Sequence, residues 1–291
     1  MPSLTEREIF TQPDCWLRAL ELAPSIDLRR EGSRMAVLGC GSSWFTAMAI
    51  AALREAHGHG ETDAFTPSEA PLGRDYDVIV AISRSGTTTE VVRALADVAG
   101  RTATVAIVAV AGTPVAEAAD EVVVLDFADE ESVVQTRFVT TTIALARAAL
   151  GDAGMPAAIE DARRVLARAP GDADAERFVF LGTGWCVGLA HEAALKLRET
   201  AQTWTEAYPA MEFRHGPIAV ANAGSTAWTF GSPPDGLVDE VRATGATVVT
   251  PEGDPLAALV AIQRIAVERA KSQGLDPDRP RNLTRSIVLE H

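Results

Sequence analysis

Displaced by 143 residues, the chain lines up with itself. Arg34-Met-Ala-Val-Leu-Gly-Cys-Gly41 falls on Arg177-Phe-Val-Phe-Leu-Gly-Thr-Gly184, and the match runs on through Ala47/Ala190 and Ala51/Ala194. In each copy a short apolar run ends in Gly-x-Gly and passes into a long Ala-rich helical stretch, the strand-turn-helix opening of a doubly wound α/β domain. At roughly 100–200 residues per domain, 291 residues accommodate two such units. The expected fold class is therefore α/β, with two tandem doubly wound parallel-sheet domains, flavodoxin-like and three-layer α/β/α. The division expected is 1–155, an N-terminal helix plus the first domain, and 156–291, the second domain.

Further elements fit that plan. Residues 77–83 and 102–110 are continuous apolar runs suited to parallel strands covered on both faces, and 121–126 is a shorter one. Helices are expected at 87–99 and 140–150, and 151–174 reads as the inter-domain connection around one short helix. The second copy continues with strands near 177–181, 226–230 and 246–249, a helix at 257–273 and a Pro-rich tail; 62–73 and 277–286 read as loops.

With 47% hydrophobic and 23% charged residues, the chain builds its core without disulfides. A net charge of −14 and a pI near 4.8 argue against nucleic acid or an anionic membrane surface as the main partner, though not against a small anion. Cys15, Cys40 and Cys186 are far apart and lack metal-ligand spacing, so no metal, no cofactor and a reducing cytoplasm are expected. The start MPSLTEREIF has no basic-then-apolar leader pattern, and no run approaches a membrane span. Leu289-Glu290-His291 reads as the stub of a histidine tag, and that His is given no functional weight. The basic residues are 24 Arg and only two Lys, Lys196 and Lys271, so side-chain amine chemistry has two candidates.

Neither Gly-x-Gly is a dinucleotide fingerprint, since Trp44 and Val187 stand where a third glycine belongs. Ser42 and Ser43 add hydroxyls to the first turn. The stronger signal is Ser83-Arg-Ser-Gly-Thr-Thr-Thr-Glu90, where a buried strand gives way to a helix and five hydroxyls surround one glycine. Free amides and the dipole at a helix N-terminus favour an anion there, and Ser/Thr hydroxyls add donors. Plain N-capping accounts for one or two of the five. At the matching place the second copy has Gly231-Ser-Pro-Pro, whose prolines remove donors, so one phosphate site per chain is expected. Arg84 and Arg137 are candidates for added charge, or for solvated side chains.

His191-Glu-Ala-Ala-Leu-Lys-Leu-Arg-Glu199 is a strong helix former whose spacing puts Glu192, Lys196 and Glu199 on one face. By itself such a pattern is ordinary surface decoration. It is followed by Met211-Glu-Phe-Arg-His215-Gly-Pro217, in which Gly and Pro leave a His beside a turn. A phosphate cradle, a helical Glu and a loop His suit chemistry on a phosphorylated open-chain sugar: a carboxylate to move a proton between C1 and C2, and a His to open the ring.

Together Cys40-Gly-Ser-Ser43, Ser83-Arg-Ser-Gly-Thr-Thr88, Glu192-Ala-Ala-Leu-Lys-Leu-Arg-Glu199, Glu206-Ala-Tyr, Glu212-Phe-Arg-His-Gly-Pro217 and Pro280-Arg-Asn-Leu-Thr-Arg-Ser286 resemble the double sugar-isomerase (SIS) domain family. That family includes the isomerase half of glucosamine-6-phosphate synthase and stand-alone amino-sugar-phosphate isomerases and deaminases. The resemblance covers nearly the whole chain. It implies that Ser43, Ser83, Ser85 and Thr88, with Ser42, Arg84 and Gln135 nearby, bind the sugar phosphate, that Glu199 is the C1–C2 base, and that His215 assists ring opening. Glu192 and Lys196 would line the site. It also implies a homodimer in which the His site is completed by the second copy.

Two departures stand out. The tail Lys that forms an imine with the ketose in the synthases is Arg285 here, and a guanidinium is too basic to serve as that amine. Residues before Arg34 are too few for a glutamine-hydrolysing domain, so no ammonia made in cis is expected. A third difference, Val133-Val-Gln-Thr-Arg137, replaces a Ser-Thr-Lys version and bears on contacts to sugar hydroxyls. The expected function is a phosphosugar isomerase/deaminase that converts an amino-sugar phosphate such as glucosamine 6-phosphate to the ketose phosphate and ammonia. The alternatives are an aldose–ketose phosphosugar isomerase, a fructosamine-phosphate deglycase, a non-catalytic sugar-phosphate sensor and a diverged paralogue with a dead site.

Overall fold

The computed structural model describes residues 2–171 and 174–289. Asp172 and Ala173 of the expected connection, and Glu290 and His291 of the expected tag stub, lie outside the described residues. In chain order the helices and strands are α1 (Leu4–Phe10), α2 (Gln12–Leu22), β1 (Met35–Gly39), α3 (Ser42–Ala56), β2 (Thr62–Phe65), β3 (Val78–Ser83), α4 (Thr89–Val98), β4 (Ala103–Val108), α5 (Pro114–Ala118) and β5 (Glu121–Val124). There follow α6 (Arg137–Ala149), α7 (Met155–Ala167), β6 (Arg177–Gly182), α8 (Cys186–Ala201), β7 (Thr205–Pro209), β8 (Ser225–Phe230), α9 (Leu237–Ala243), β9 (Thr247–Val249) and α10 (Pro255–Ser272).

All strand pairs are parallel, and they form two sheets of order β2-β1-β3-β4-β5 and β7-β6-β8-β9. The first is the 2-1-3-4-5 order of flavodoxin-like doubly wound sheets, which opens a crevice at the carboxyl ends of β1 and β3. The second has the same order with one strand fewer. Two edge strands, β2 and β7, lie where the sequence pattern shows no apolar run, and 62–73 is thus not all loop. Edge strands need only one buried face, so Thr-Asp-Ala-Phe and Thr-Glu-Ala-Tyr-Pro keep polar residues. Their signal is the repeat itself, since Thr62 and Thr205 begin the two strands 143 residues apart.

In β1, Ala36 and Leu38 point to a core shared with Ala94 and Val98 of α4. Gly39 points the other way: a Cβ there would stand 2.4 Å from the Ser43 backbone carbon at the start of α3. Gly182 meets the Cys186 carbonyl oxygen at 2.3 Å in the same manner. The repeated glycine is therefore required because each helix starts in contact with its strand. The opposite face of β6 packs Val179 and Leu181 on Phe213, Leu237 and Val241.

Contacts divide the chain into two units, Asp14–Met155 with Thr284–His291, and Met1–Pro13 with Pro156–Leu283. The division falls between Met155 and Pro156, at the start of α7, and each terminal segment joins the unit remote from it in sequence. The reason is local bonding. Asp278 accepts hydrogen bonds from the Leu4 and Thr5 amides at 2.7 and 2.9 Å, and Gln12 Nε2 donates to Gln263 Oε1 at 2.7 Å. At the other end the Thr89 amide donates to the Ile287 carbonyl at 3.2 Å.

Candidate active site

The loop between β3 and α4 turns through Gly86, whose φ of +66° suits only glycine without strain. Its amide donates to Ser83 Oγ at 3.2 Å, and Ser83 Oγ and Thr88 Oγ1 lie 3.3 Å apart. Thr88 is the N-cap residue of α4, yet its side chain makes no capping bond. Capping therefore does not account for this hydroxyl, and the first turn of α4 keeps its side-chain-uncapped, electropositive end. Ser43, Ser83, Arg84, Ser85, Thr88, Gln135, Arg285 and Cys40 line one small cleft. Ser42 is buried but is not among the lining residues.

Gly86→Ala is expected to disrupt this cleft. Its Cβ would stand 1.9 Å from Thr113 Oγ1 and 2.6 Å from Thr113 Cβ. A left-handed non-glycine residue costs about 1–2 kcal/mol, and overpacking adds about 1–3 kcal/mol. Gly112→Ala has the same φ of +66° but open space, so in chemical denaturation it should show only the first cost.

Arg84 is 2% exposed and does not present its guanidinium to the cleft as a free charge. Its Nη atoms donate to the carbonyls of Ser132, Val133 and Arg285 at 3.0, 3.2 and 3.0 Å, and Glu130 Oε2 lies 3.7 Å away. Glu130 Oε1 in turn accepts from the Thr136 amide, the Thr136 hydroxyl and the Arg137 amide at 2.5, 2.7 and 2.8 Å. Arg84 is thus a brace that holds the 130–136 loop and the tail against the cradle. Arg137 bonds the Asp129 carbonyl from Nε at 2.8 Å and does not line the cleft. Arg285 pairs with Asp129 at 2.5 Å and also donates to the Glu130 carbonyl. Gln135 Oε1 is buried and has no hydrogen-bond partner among the described residues. Burial, with Glu90 adding to it, pushes the Cys40 thiol up to about 11, so it stays protonated at neutral pH.

In the second unit, α8 brings Glu192, Lys196 and Glu199 together. Lys196 Nζ lies 3.2 Å from Glu192 Oε1 and 2.6 Å from Glu199 Oε2. Glu192 and Lys196 are each 1% exposed, so this is no surface decoration. Burial opposes the charge on Lys196, but the two carboxylates outweigh it and hold its pKa above the ordinary value. Glu199 keeps part of its carboxylate accessible and lines a cavity with Arg198, Gln202, Trp204, Arg281 and Asn282. Arg198, Arg281 and Asn282 fall within the quoted motifs but were given no role there, and Gln202 and Trp204 were not singled out from sequence. The available signal was a Trp in a polar stretch, and here it is 81% exposed. His215 ends a short 3₁₀ turn ahead of Gly216, is exposed, and makes no hydrogen bond among the described residues. Among the described residues no group of three or more His, Cys, Asp or Glu is placed to hold a metal, and no helix is long and apolar enough to cross a membrane.

Residues 27–150 match the SIS domain model. The chain is 29% identical to the isomerising glutamine–fructose-6-phosphate aminotransferase of Aeropyrum pernix over 99% of its length and 58% of that protein's. It is 29% identical to the enzyme of that name from Methanothermobacter thermautotrophicus, over 89% of this chain and 52% of the other. It thus spans just over half the length of these relatives. Among solved structures, a glucosamine-6-phosphate deaminase of Thermotoga maritima superposes with a TM-score of 0.81 at 26% identity, covering 99% of this chain and all of the other. A tagatose-6-phosphate ketose/aldose isomerase of Escherichia coli shares the fold, with a TM-score of 0.80 at 19% identity over 99% and 96% of the two chains. Residues 27–150 thus match the SIS domain family, and the chain over nearly its whole length is homologous to the isomerising aminotransferases and has a phosphosugar-isomerase-like fold.

Proposed function

We propose that this protein is a phosphosugar isomerase acting on an amino-sugar phosphate, with residues 156–283 as a second, diverged SIS unit. The observation that carries the reading is Thr88, an N-cap residue whose hydroxyl makes no cap and instead joins Ser43, Ser83 and Ser85 around a helix N-terminus. Such an end takes a phosphate through amides and hydroxyls and needs no lysine. Glu199 is the base: it removes the C2 proton of the open-chain aldosamine and returns it to C1, leaving a C2 imine that water converts to ketose phosphate and ammonia. Lys196, paired with Glu199, positions that carboxylate. His215, exposed and without a hydrogen bond among the described residues, suits a ring-opening group presented to a second copy in a homodimer.

Arg285 favours direct proton transfer over a route through an enzyme imine, since its guanidinium is paired with Asp129 and is not a nucleophilic amine. The test is incubation of the purified protein with glucosamine 6-phosphate, following ammonia and ketose phosphate in a 1:1 ratio. Ketose formation from a non-amino aldose phosphate with no ammonia from the amino sugar would assign simple aldose–ketose isomerisation. Tight phosphosugar binding with no turnover of any substrate would reduce the site to a sensor.

A further inference from the structure

The internal repeat sets the amino-terminal end of the second sheet against the same end of the first. At a displacement of 143 residues Arg34, Glu61 and Asp63 fall on Arg177, Trp204 and Glu206. Strand register extends the match. Met35 pairs with Val78, and its counterpart Phe178 pairs with Thr226, so Arg74 and Tyr76 ahead of β3 correspond to Asn222 and Gly224 ahead of β8. In the first unit this place is filled from within. Arg34 Nε lies 2.8 Å from Glu61 Oε2, and its guanidinium stands 5.7 Å from the centre of the Tyr76 ring. Asp63 accepts a hydrogen bond from the Tyr76 hydroxyl at 2.6 Å and has Arg74 at 3.6 Å. Tyr76 is buried in a core that includes Ala36, the counterpart of Val179.

In the second unit the guanidinium and the carboxylate remain, but the three groups that meet them in the first are gone: Trp204, Asn222 and Gly224 replace Glu61, Arg74 and Tyr76. A cavity of about 290 Å³ opens there, and Arg177, Val179, Trp204, Glu206, Val220 and Ser225 line it. Arg177 Nη1 donates to the Val220 carbonyl at 3.3 Å, and neither Arg177 nor Glu206 takes part in an ion pair among the described residues. Glu206 accepts from the Tyr208 hydroxyl. Glu176 Oε2 stands 2.6 Å from where a Cβ on Gly224 would be, so a second carboxylate lies at this end. Trp204, which also borders the Glu199 cavity, is 81% exposed and offers its indole as a wall.

We infer that this cavity binds a free aromatic α-amino acid, whose carboxylate, ammonium and ring take the places that Glu61, Arg74 and Tyr76 fill in the first unit. The Arg177 guanidinium matches the carboxylate through paired hydrogen bonds, and Glu206 takes the ammonium. The ring packs on Val179 and the Trp204 indole, whose exposed face gains when it is covered. One guanidinium and one carboxylate in the same cavity, not paired with each other, suit a zwitterion better than a ligand of either single charge. The site uses none of the residues assigned to the phosphosugar reaction and does not rest on the reading of Glu199.

The test is calorimetry on the full chain with L-phenylalanine, phenethylamine, 3-phenylpropionate and L-alanine, the last three lacking in turn the carboxylate, the ammonium and the ring. L-Phenylalanine should bind at one molecule per chain and at least about tenfold tighter than each analogue, since each loses a charge-assisted bond or the burial of the ring. Arg177→Gln, a change at an exposed residue, should bring the advantage over phenethylamine below about threefold. Glu206→Gln, which keeps an oxygen for Tyr208, should do the same to the advantage over 3-phenylpropionate. No binding of L-phenylalanine, or equal affinity for any analogue, overturns the inference, as does an advantage that survives either substitution. Binding lost in Arg281→Gln but kept in Arg177→Gln would put the amino acid in the Glu199 cavity and overturn it as well. The proposed function stands or falls separately, on the release of ammonia from glucosamine 6-phosphate.

Discussion

Glu199→Gln is expected to reduce turnover of the amino-sugar phosphate by about 10²–10⁴-fold, the usual contribution of a positioned acid–base group. The amide has the shape of the carboxylate and keeps an oxygen for Lys196, 2.6 Å away in the parent protein, but it cannot accept the C2 proton. Because the phosphate cradle is built by β3, α4 and the 284–289 tail, phosphosugar affinity should stay within about threefold. Single-turnover kinetics and calorimetry on the same sample separate these quantities. Turnover within threefold of the parent would remove Glu199 from the role of base.

Lys196→Met should produce the largest loss of stability. It leaves Glu192, 1% exposed, without the cation at 3.2 Å, and breaking a buried pair from one side costs about 3–5 kcal/mol. Removing both partners together, as in Lys196→Met with Glu192→Leu, should recover most of that loss, because no uncompensated charge remains buried. Urea denaturation of the two variants checks the contrast; equal stability would place the cost in packing alone. The pH dependence has a definite sign. Since the folded pKa of Lys196 lies above its ordinary 10.5, the pair's contribution is fully present below that value. It is lost as pH rises through the raised one. The parent should therefore weaken above pH 10.5, and Lys196→Met should lack this component.

The cradle was legible because it is contiguous: strand, loop and helix start lie within Val78–Val98, and hydroxyls packed around a glycine are a local signature. The Glu199 helix was legible for the same reason, through spacings of three and four. The wrong impressions came from reading side chains without their surroundings. Glu192 and Lys196 look like a solvent pair on a helix, and Arg84 looks like a free cation in a cradle. Each is buried in the folded chain, and Arg84 is tied to the carbonyl of Arg285, 201 positions away. The cavity around Trp204 escaped because the residues meeting there come from the end of α8 and from Arg281–Leu283, with no shared pattern. Two of them, Gln202 and Asn282, have φ of +52° and +63°, which composition does not reveal.

What sequence by itself determined was the repeat, the central strands of each sheet, the repeated glycines at the strand–helix contacts and the cluster of hydroxyls after β3. These follow from interactions over a few residues or from a self-match at 143 positions. Only the tertiary structure decided which unit takes each terminus, that Lys196 and Glu192 are buried, and that Arg285 is paired to Asp129. Burial and ion pairing depend on what arrives from elsewhere in the chain, and the free energy of a charge changes more with its surroundings than with its neighbours in sequence.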